Sequence, residues 1–200
     1  MKRRLLACCF ALASLPLLGA APMAKIQSML IKPKILCGRF DQTKQLVGLK
    51  KPITANGRFC VVADKGVLWR SLQPFPNTMR LTRDEIVQMQ GGRVAMRLDA
   101  KQEPAVRMIN SVLFAALAGD LEKLETLFDI DGTIHDNNWS VTLRARDPAL
   151  ANAVGAIALA GGAYVQNVNI SEASGDRTTI VFSAIQTGES AMSADEAALF

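Results

Sequence analysis

The second half of the chain constrains the fold most, because from Trp139 onward strand follows strand with no helix long enough for a crossover. The stretches "WSVTLRA" (139–145), "GAIALA" (155–160), "YVQNVNI" (164–170) and "RTTIVFSA" (177–184) are broken at Asp147-Pro148, Gly161-Gly162 and Ser174-Gly175-Asp176. Parallel neighbours need a crossover connection of about a dozen or more residues, so these segments are expected to pair antiparallel. The first half has the same grammar. Leu36, Gly38, Phe40 and Gln42 alternate with Cys37, Arg39, Asp41 and Thr43, the period of a half-buried strand. "LVGLKKPITANG" (46–57) reads as turn, and "RFCVVA" (58–63), "VLWRSL" (67–72), "TMRLT" (78–82), "EIVQM" (85–89) and "RVAMRL" (93–98) follow as strands. Six short strands at nearly regular spacing predict an antiparallel meander.

One strong helix separates the two runs. Ala105, Met108, Ile109, Val112, Leu113, Ala116 and Leu117 fall on one apolar stripe, with Phe114 standing off it beside Arg107 and Asn110. Gly119 is expected to end this helix, and Asp120 to cap a shorter one through Leu127. A further short helix over 25–31 is expected to stop at Pro33. The fold class is therefore α+β and mainly antiparallel β.

The N-terminus has the layout of a secretory signal peptide. Lys2-Arg3-Arg4 precedes an apolar run from Leu5 to Leu18 and small residues at Gly19-Ala20-Ala21. The run falls short of the ~20 residues a membrane span needs. Residues 1–21 are thus read as a leader cleaved between 21 and 24, residues 22–187 as a single domain, and 188–200 as a flexible acidic tail. Without the leader the chain keeps 20 of its 23 basic residues against 18 acidic ones, so overall charge gives no argument for nucleic acid. The distribution is uneven. Residues 25–83 hold 12 Lys and Arg against Asp41 and Asp64, whereas 84–200 hold 8 bases against 16 acids. Such asymmetry fits either a docking molecule or two oppositely charged faces.

Two cysteines, Cys37 and Cys60, lie outside the leader. An exported chain meets oxidising conditions. Paired positions in a hairpin share a constant sum of residue numbers, and pairing these two centres the turn between Gly48 and Leu49. Either they form a disulfide or they are two small apolar residues facing a core.

The most enzyme-like string is "LFDIDGTIH" (127–135), similar to the nucleophile motif of haloacid-dehalogenase-type phosphatases. On a strand Asp129 and Asp131 share one face and would address Mg²⁺ and phosphate together. That chemistry also needs a downstream Lys and a second acidic cluster on a parallel sheet. No Lys follows Lys123, and only 69 residues follow Asp131, room for at most two βαβ units of ~30 residues or more. The pair reads better as a strand end followed by an Asp-Gly hairpin turn, with no catalytic residue and no metal assigned. His135 is the only histidine, and Trp69 and Trp139 read as core.

Several pieces in order carry a resemblance: Phe40-x-Gln42, Gly57-x-Phe59, Gly66-Val67-Leu68-Trp69, Pro74-Phe75, and Gly175-Asp176-x-Thr178-x-Ile180-x-Phe182. Together they resemble a divergent branch of the LolA-like outer-membrane lipoprotein carrier proteins. The resemblance implies an incomplete, curved β-barrel with a helical lid (LolA/LolB-like). It implies a periplasmic carrier of a Gram-negative bacterium, monomeric and not an enzyme, needing no cofactor. Such a carrier moves the acyl chains of a lipoprotein or lipid from an inner-membrane release complex toward an outer-membrane acceptor. The cavity candidates are Phe40, Phe59, Val61, Val67, Trp69, Phe75, Met79 and Leu81; the lid candidates are Met108, Val112, Leu113 and Leu117. The family's carrier fastens its lid with an Arg-Pro near the third strand. The corresponding stretch here is Ala63-Asp64-Lys65-Gly66, which leaves Lys65, a point charge without the guanidinium fork, as the lid-contact candidate. A non-catalytic periplasmic adaptor is the other alternative.

Overall fold

Strands β1 (Ile35–Gln45) and β2 (Ile53–Val62) pair in one long hairpin, with Cys37 opposite Cys60 and Lys44 opposite Ile53. The register centres the turn between Gly48 and Leu49, as the cysteine positions require. In this computed structural model, which describes residues 20–99, 102, 112 and 114–200, the meander continues through β3 (Gly66–Gln73), β4 (Asn77–Leu81), β5 (Glu85–Gln90) and β6 (Arg93–Asp99). A second meander holds β7 (Phe128–His135), β8 (Asn138–Ala145), β9 (Ala156–Gly161), β10 (Val165–Ser171) and β11 (Arg177–Thr187). Strand β11 returns to pair antiparallel with β1, Phe182 opposite Phe40, and joins both meanders into one antiparallel sheet. The order is β6-β5-β4-β3-β2-β1-β11-β10-β9-β8-β7, so β6 and β7 are its edges and the sheet is curved and unclosed.

Period-two sequence puts one set of side chains on the inner face. Phe40, Phe59, Val61, Val67, Leu81, Phe128, Trp139, Val141, Leu143, Leu159 and Phe182 are all buried in a single apolar core. At its centre Trp69 stacks on Phe40 with ring centroids 3.9 Å apart, and Phe59 lies 4.7 Å from Phe182. Gly57 makes room for this: a Cβ there would sit 2.8 Å from the Phe40 ring and 1.9 Å from the Arg70 carbonyl oxygen, where the β2–β3 register shifts.

Helices fill the rest. Helix α1 (Ala20–Met29) buries Met23 and Ile26 in the core, with Leu30 just beyond its end. Residues 114–117 are helical, Gly119 takes φ 68°, and α2 (Leu121–Glu125) buries Leu121 and Leu124. The first of these helical stretches lies where the apolar stripe predicts a helix, although most of that stripe falls outside the described residues.

Four local expectations differ from what forms. Helix α1 starts before residue 25 and ends before Ile31, because Met23, Ile26 and Leu30 carry its apolar side. Residues 53–57 are strand and not turn, since β2 follows β1 to its full length. The break at Asp147-Pro148 opens α3 (Pro148–Val154): the Asp147 side chain accepts from the Leu150 amide at 3.0 Å, and proline stands at the start where no donor is needed. Finally, β7 runs straight through Asp131-Gly132, and the hairpin turn falls at Asp136-Asn137, Asp136 taking φ 54°.

The segment after Gly188, read from sequence as a flexible tail, lies folded against the outer face of the first meander. It makes a 3₁₀ turn (Glu189–Ala191) and α4 (Ala194–Ala197) with a Ser193/Glu196 capping box. Ala191, Met192, Leu199 and Phe200 cover a small second core around Cys37, Cys60 and Leu68. Glu196 is 2% exposed and accepts from Arg58 Nε at 2.8 Å, Arg58 also donates to the Ala191 carbonyl, and Arg80 donates to the Leu199 carbonyl at 2.9 Å.

A candidate ligand-binding interior beneath a helical cover

The structure brings most of the predicted cavity residues together. Phe40, Phe59, Val61, Val67 and Leu81 line the inner face of β1 to β4, with Trp69 and Met79 half-buried against them. Phe75 stands apart, 73% exposed in the turn between β3 and β4. Of the lid candidates, Val112 is buried and Leu117 half-buried against the same core; Met108 and Leu113 lie outside the described residues. Lys65 is exposed in the β2–β3 turn, away from the polar ties that Lys32, Asp120 and Lys123 make at the cover.

The cover consists of α1 on one side and residues 114–125 on the other. Lys32 Nζ, just after α1, pairs with Asp120 Oδ1 at 3.1 Å, and Lys123 pairs with the other oxygen at 2.8 Å. Asp120 is thus not the side-chain cap its position predicts. Burial pushes its carboxyl up, but hydrogen bonds and charge from Lys123 and Lys32 outweigh that and hold it below the ordinary value. Gln27 Nε2 donates to Glu125 Oε1 at 3.4 Å, and the Ile31 amide donates to the Ala163 carbonyl at 2.9 Å. Among the described residues these polar ties are few. Partly exposed ion pairs contribute roughly 0–1 kcal/mol each, whereas burying Met23, Ile26 and Leu30 stabilises by about 1.5–3 kcal/mol apiece. Apolar contact therefore holds the cover on.

Between the cover and the β1–β2 hairpin opens an apolar pocket of about 140 Å³, with Val61, Leu36 and Ala63 on one wall, Leu117 and Ala118 on the other, and Lys32 and Asp120 at its mouth. One cavity candidate and one lid candidate thus face each other across a single opening. On the far side, α1 crosses β7 at Gly132, where a Cβ would come within 2.8 Å of Ile26 Cδ1 and 3.1 Å of Met23 Sδ.

That glycine explains the "DIDGT" string differently from a turn. Asp129 and Asp131 point outward on an edge strand, opposite in face to Phe128, Ile130 and Gly132. Asp129 pairs with Arg146 at 2.9 Å, both side chains being largely exposed. Among the described residues no group of three His, Cys, Asp or Glu is placed to hold a metal, and His135 is exposed at the end of β7.

Sequence reasoning missed α1 as half of the cover, together with its anchors Met23, Ile26 and Leu30. Their spacing of three and four is legible as a helical stripe, but residues 21–24 had been given to leader cleavage. It also missed Asp120 and Lys32 as the polar tie, a contact between residues far apart in sequence that no local pattern signals.

Comparison with known proteins yields one family and several distant structures. No curated protein sequence matches the chain. Among solved structures, a LolA superfamily protein from Nitrosomonas europaea aligns over 86% of this chain and 94% of its own at 8% identity, with a TM-score of 0.48. A putative outer membrane lipoprotein-sorting protein domain from Vibrio parahaemolyticus aligns over 88% and 94% at 7% identity and a TM-score of 0.46. The MucA/MucB complex structure of Pseudomonas aeruginosa aligns over 88% of this chain and 61% of that one, at 12% identity and a TM-score of 0.45. The sequence profile described as outer membrane lipoprotein carrier protein LolA-like matches residues 20–199. The chain belongs to that family of LolA-like outer-membrane lipoprotein carrier proteins.

Proposed function

We propose that the protein is a periplasmic carrier that takes acyl chains of a lipoprotein or lipid into its interior and moves them toward the outer membrane. Members of the family are generally non-catalytic binding proteins of the bacterial periplasm. The observation that carries the reading is the nature of the cover. Helix α1 and residues 114–125 lie over an apolar sheet face that two meanders leave open, and they are held chiefly by apolar side chains. An acyl chain replaces such contacts like for like, at roughly 0.8 kcal/mol per buried CH₂, so loading needs no catalytic group and no cofactor.

On this reading the opening between Val61 and Leu117 serves as the way in. Small-molecule pockets run to about 300–1,000 Å³, so a pocket of about 140 Å³ is an entrance. Cargo enters between Val61 and Leu117 and displaces the cover, breaking the Lys32–Asp120 pair. Phe40, Phe59, Val67, Trp69, Met79 and Leu81 then line the site, and Val112 and Leu117 move with the lid.

Mass spectrometry of organic extracts from gently purified protein tests this. The reading predicts a co-purifying acylated molecule, and its class identifies the cargo. Extracts free of lipid, from a chain that also leaves a fluorescent fatty acid unbound, would refute it.

A further inference from the structure

The exposed apolar side chains are not scattered. Among the described residues, six of the nine large ones, Val47, Leu49, Ile53, Leu72, Phe75 and Val94, lie at or beside one end of the sheet. The antiparallel registers establish that end: Gln45 is opposite Arg177, Asn56 opposite Gln73, Ser71 opposite Asn77 and Gln90 opposite Arg93. The turns at 46–52, 74–76, 91–92 and 172–176 therefore project the same way.

The charge at this end is positive. Lys50 and Lys51 are exposed on the longest turn and Arg93 on the third. The two acids of the neighbouring turn are already engaged by the β1–β2 hairpin: Glu172 pairs with Lys44 at 3.0 Å, and Asp176 accepts from the Val47 amide at 2.8 Å. That second contact also holds Val47 outward, 68% exposed, at the tip.

We propose that this end docks on an anionic lipid bilayer, with Val47, Leu49 and Phe75 entering the interface and Lys50, Lys51 and Arg93 meeting the head groups. A protein partner reads a contiguous patch of fixed shape with a buried apolar centre. Here single apolar side chains stand on the tips of separate turns, flanked by cations, which suits a deformable surface of negative charge. The proposal is independent of what the interior holds, so a chain that carries no acyl cargo still docks.

Vesicle flotation of the full chain tests it, using phosphatidylcholine alone and phosphatidylcholine mixed with phosphatidylglycerol. The expected result is flotation with the anionic vesicles, weakened by salt. Reversing both lysines (Lys50→Glu with Lys51→Glu) is expected to lower the bound fraction by roughly tenfold or more, taking about fivefold per cationic side chain near such a surface. Val47→Asp with Phe75→Asp is expected to do the same, and circular dichroism melts of both variants should match the parent, since all four side chains are exposed. Equal binding to neutral vesicles, binding unchanged in both variants, or no flotation at all would overturn the proposal. So would a dimer in sedimentation that the same substitutions dissolve, since that makes the surface a contact with a second copy.

Discussion

Gly132 sits under α1, where a Cβ would press on the ends of the Ile26 and Met23 side chains, and this gives the string "DIDGT" a structural role in place of a chemical one. Gly132→Ala should destabilise by about 1–3 kcal/mol through overpacking against Ile26 and Met23. Urea unfolding measures it, and adding Ile26→Ala should make the pair's cost clearly less than additive, because the shortened side chain vacates the clash. Asp129→Asn and Asp131→Asn should leave stability nearly unchanged, because both groups face solvent. The parent protein with Mg²⁺ should not hydrolyse a chromogenic phosphate ester above background; turnover abolished by Asp129→Asn would reverse the carrier reading. Glu196 behaves in the opposite way. Burial raises its carboxyl, but the Arg58 guanidinium and the Ser193 amide prevail and hold it below 4.5. A lowered carboxyl contributes stability that is present above 4.5 and lost as pH falls through the folded value. The melting temperature of the parent should therefore exceed that of Glu196→Gln at neutral pH, and the gap should close as pH is lowered below 4.5.

At the scale of elements, the strands and the helical stretches between Val112 and Glu125 were legible, whereas α1 as a cover and the folded C-terminal segment were not. Alternation marks β1 to β6 in the sequence because each strand buries one face, and Gly and Pro punctuate the turns. Residues 53–57 escaped because Ile53, Thr54 and Ala55 lie on the part of the hairpin that extends past its neighbour, where both faces are partly exposed and no apolar alternation is required. Helix α3 escaped because seven residues give too short a stripe, although its Asp-Pro start is a sound cap signal. The C-terminal segment escaped for a different reason. Small and acidic by composition, it is held by Arg58 and Arg80 of distant strands, and composition carries no trace of a partner. Beneath it lies the Cys37–Cys60 disulfide, with Cα atoms 4.0 Å apart and a separation of 23 residues. Replacing both cysteines by alanine should cost about 3 kcal/mol, the scale expected for a loop of that length, and denaturant unfolding without reductant should detect it.

For the whole molecule, the decisive feature is that the chain returns on itself through β11 to β1 yet leaves β6 and β7 unpaired with each other. The chain passes from β6 to β7 by way of residues 114–125, so that half of the cover is part of the connection between the two edges. A sheet closed by hydrogen bonds would hold a fixed core, whereas here side chains on helices cover the open sheet, the arrangement on which the carrier proposal rests. The alternation in the sequence implied a meander, and the family resemblance supplied the open curve. The cover's anchoring on Asp120 and Lys32 became visible only when the two met in space. Trp69, stacked on Phe40 at the centre of the inner face, is placed to report on the interior. The most direct measurement is its fluorescence during titration with a long-chain fatty acid, with Trp69→Phe as the control. The account predicts a saturable change at about one acyl ligand per chain, as a single interior opened by displacing the cover requires, that disappears in the control. An emission that stays flat through the titration, with Trp69 as shielded at the end as at the start, would contradict a cargo-binding interior.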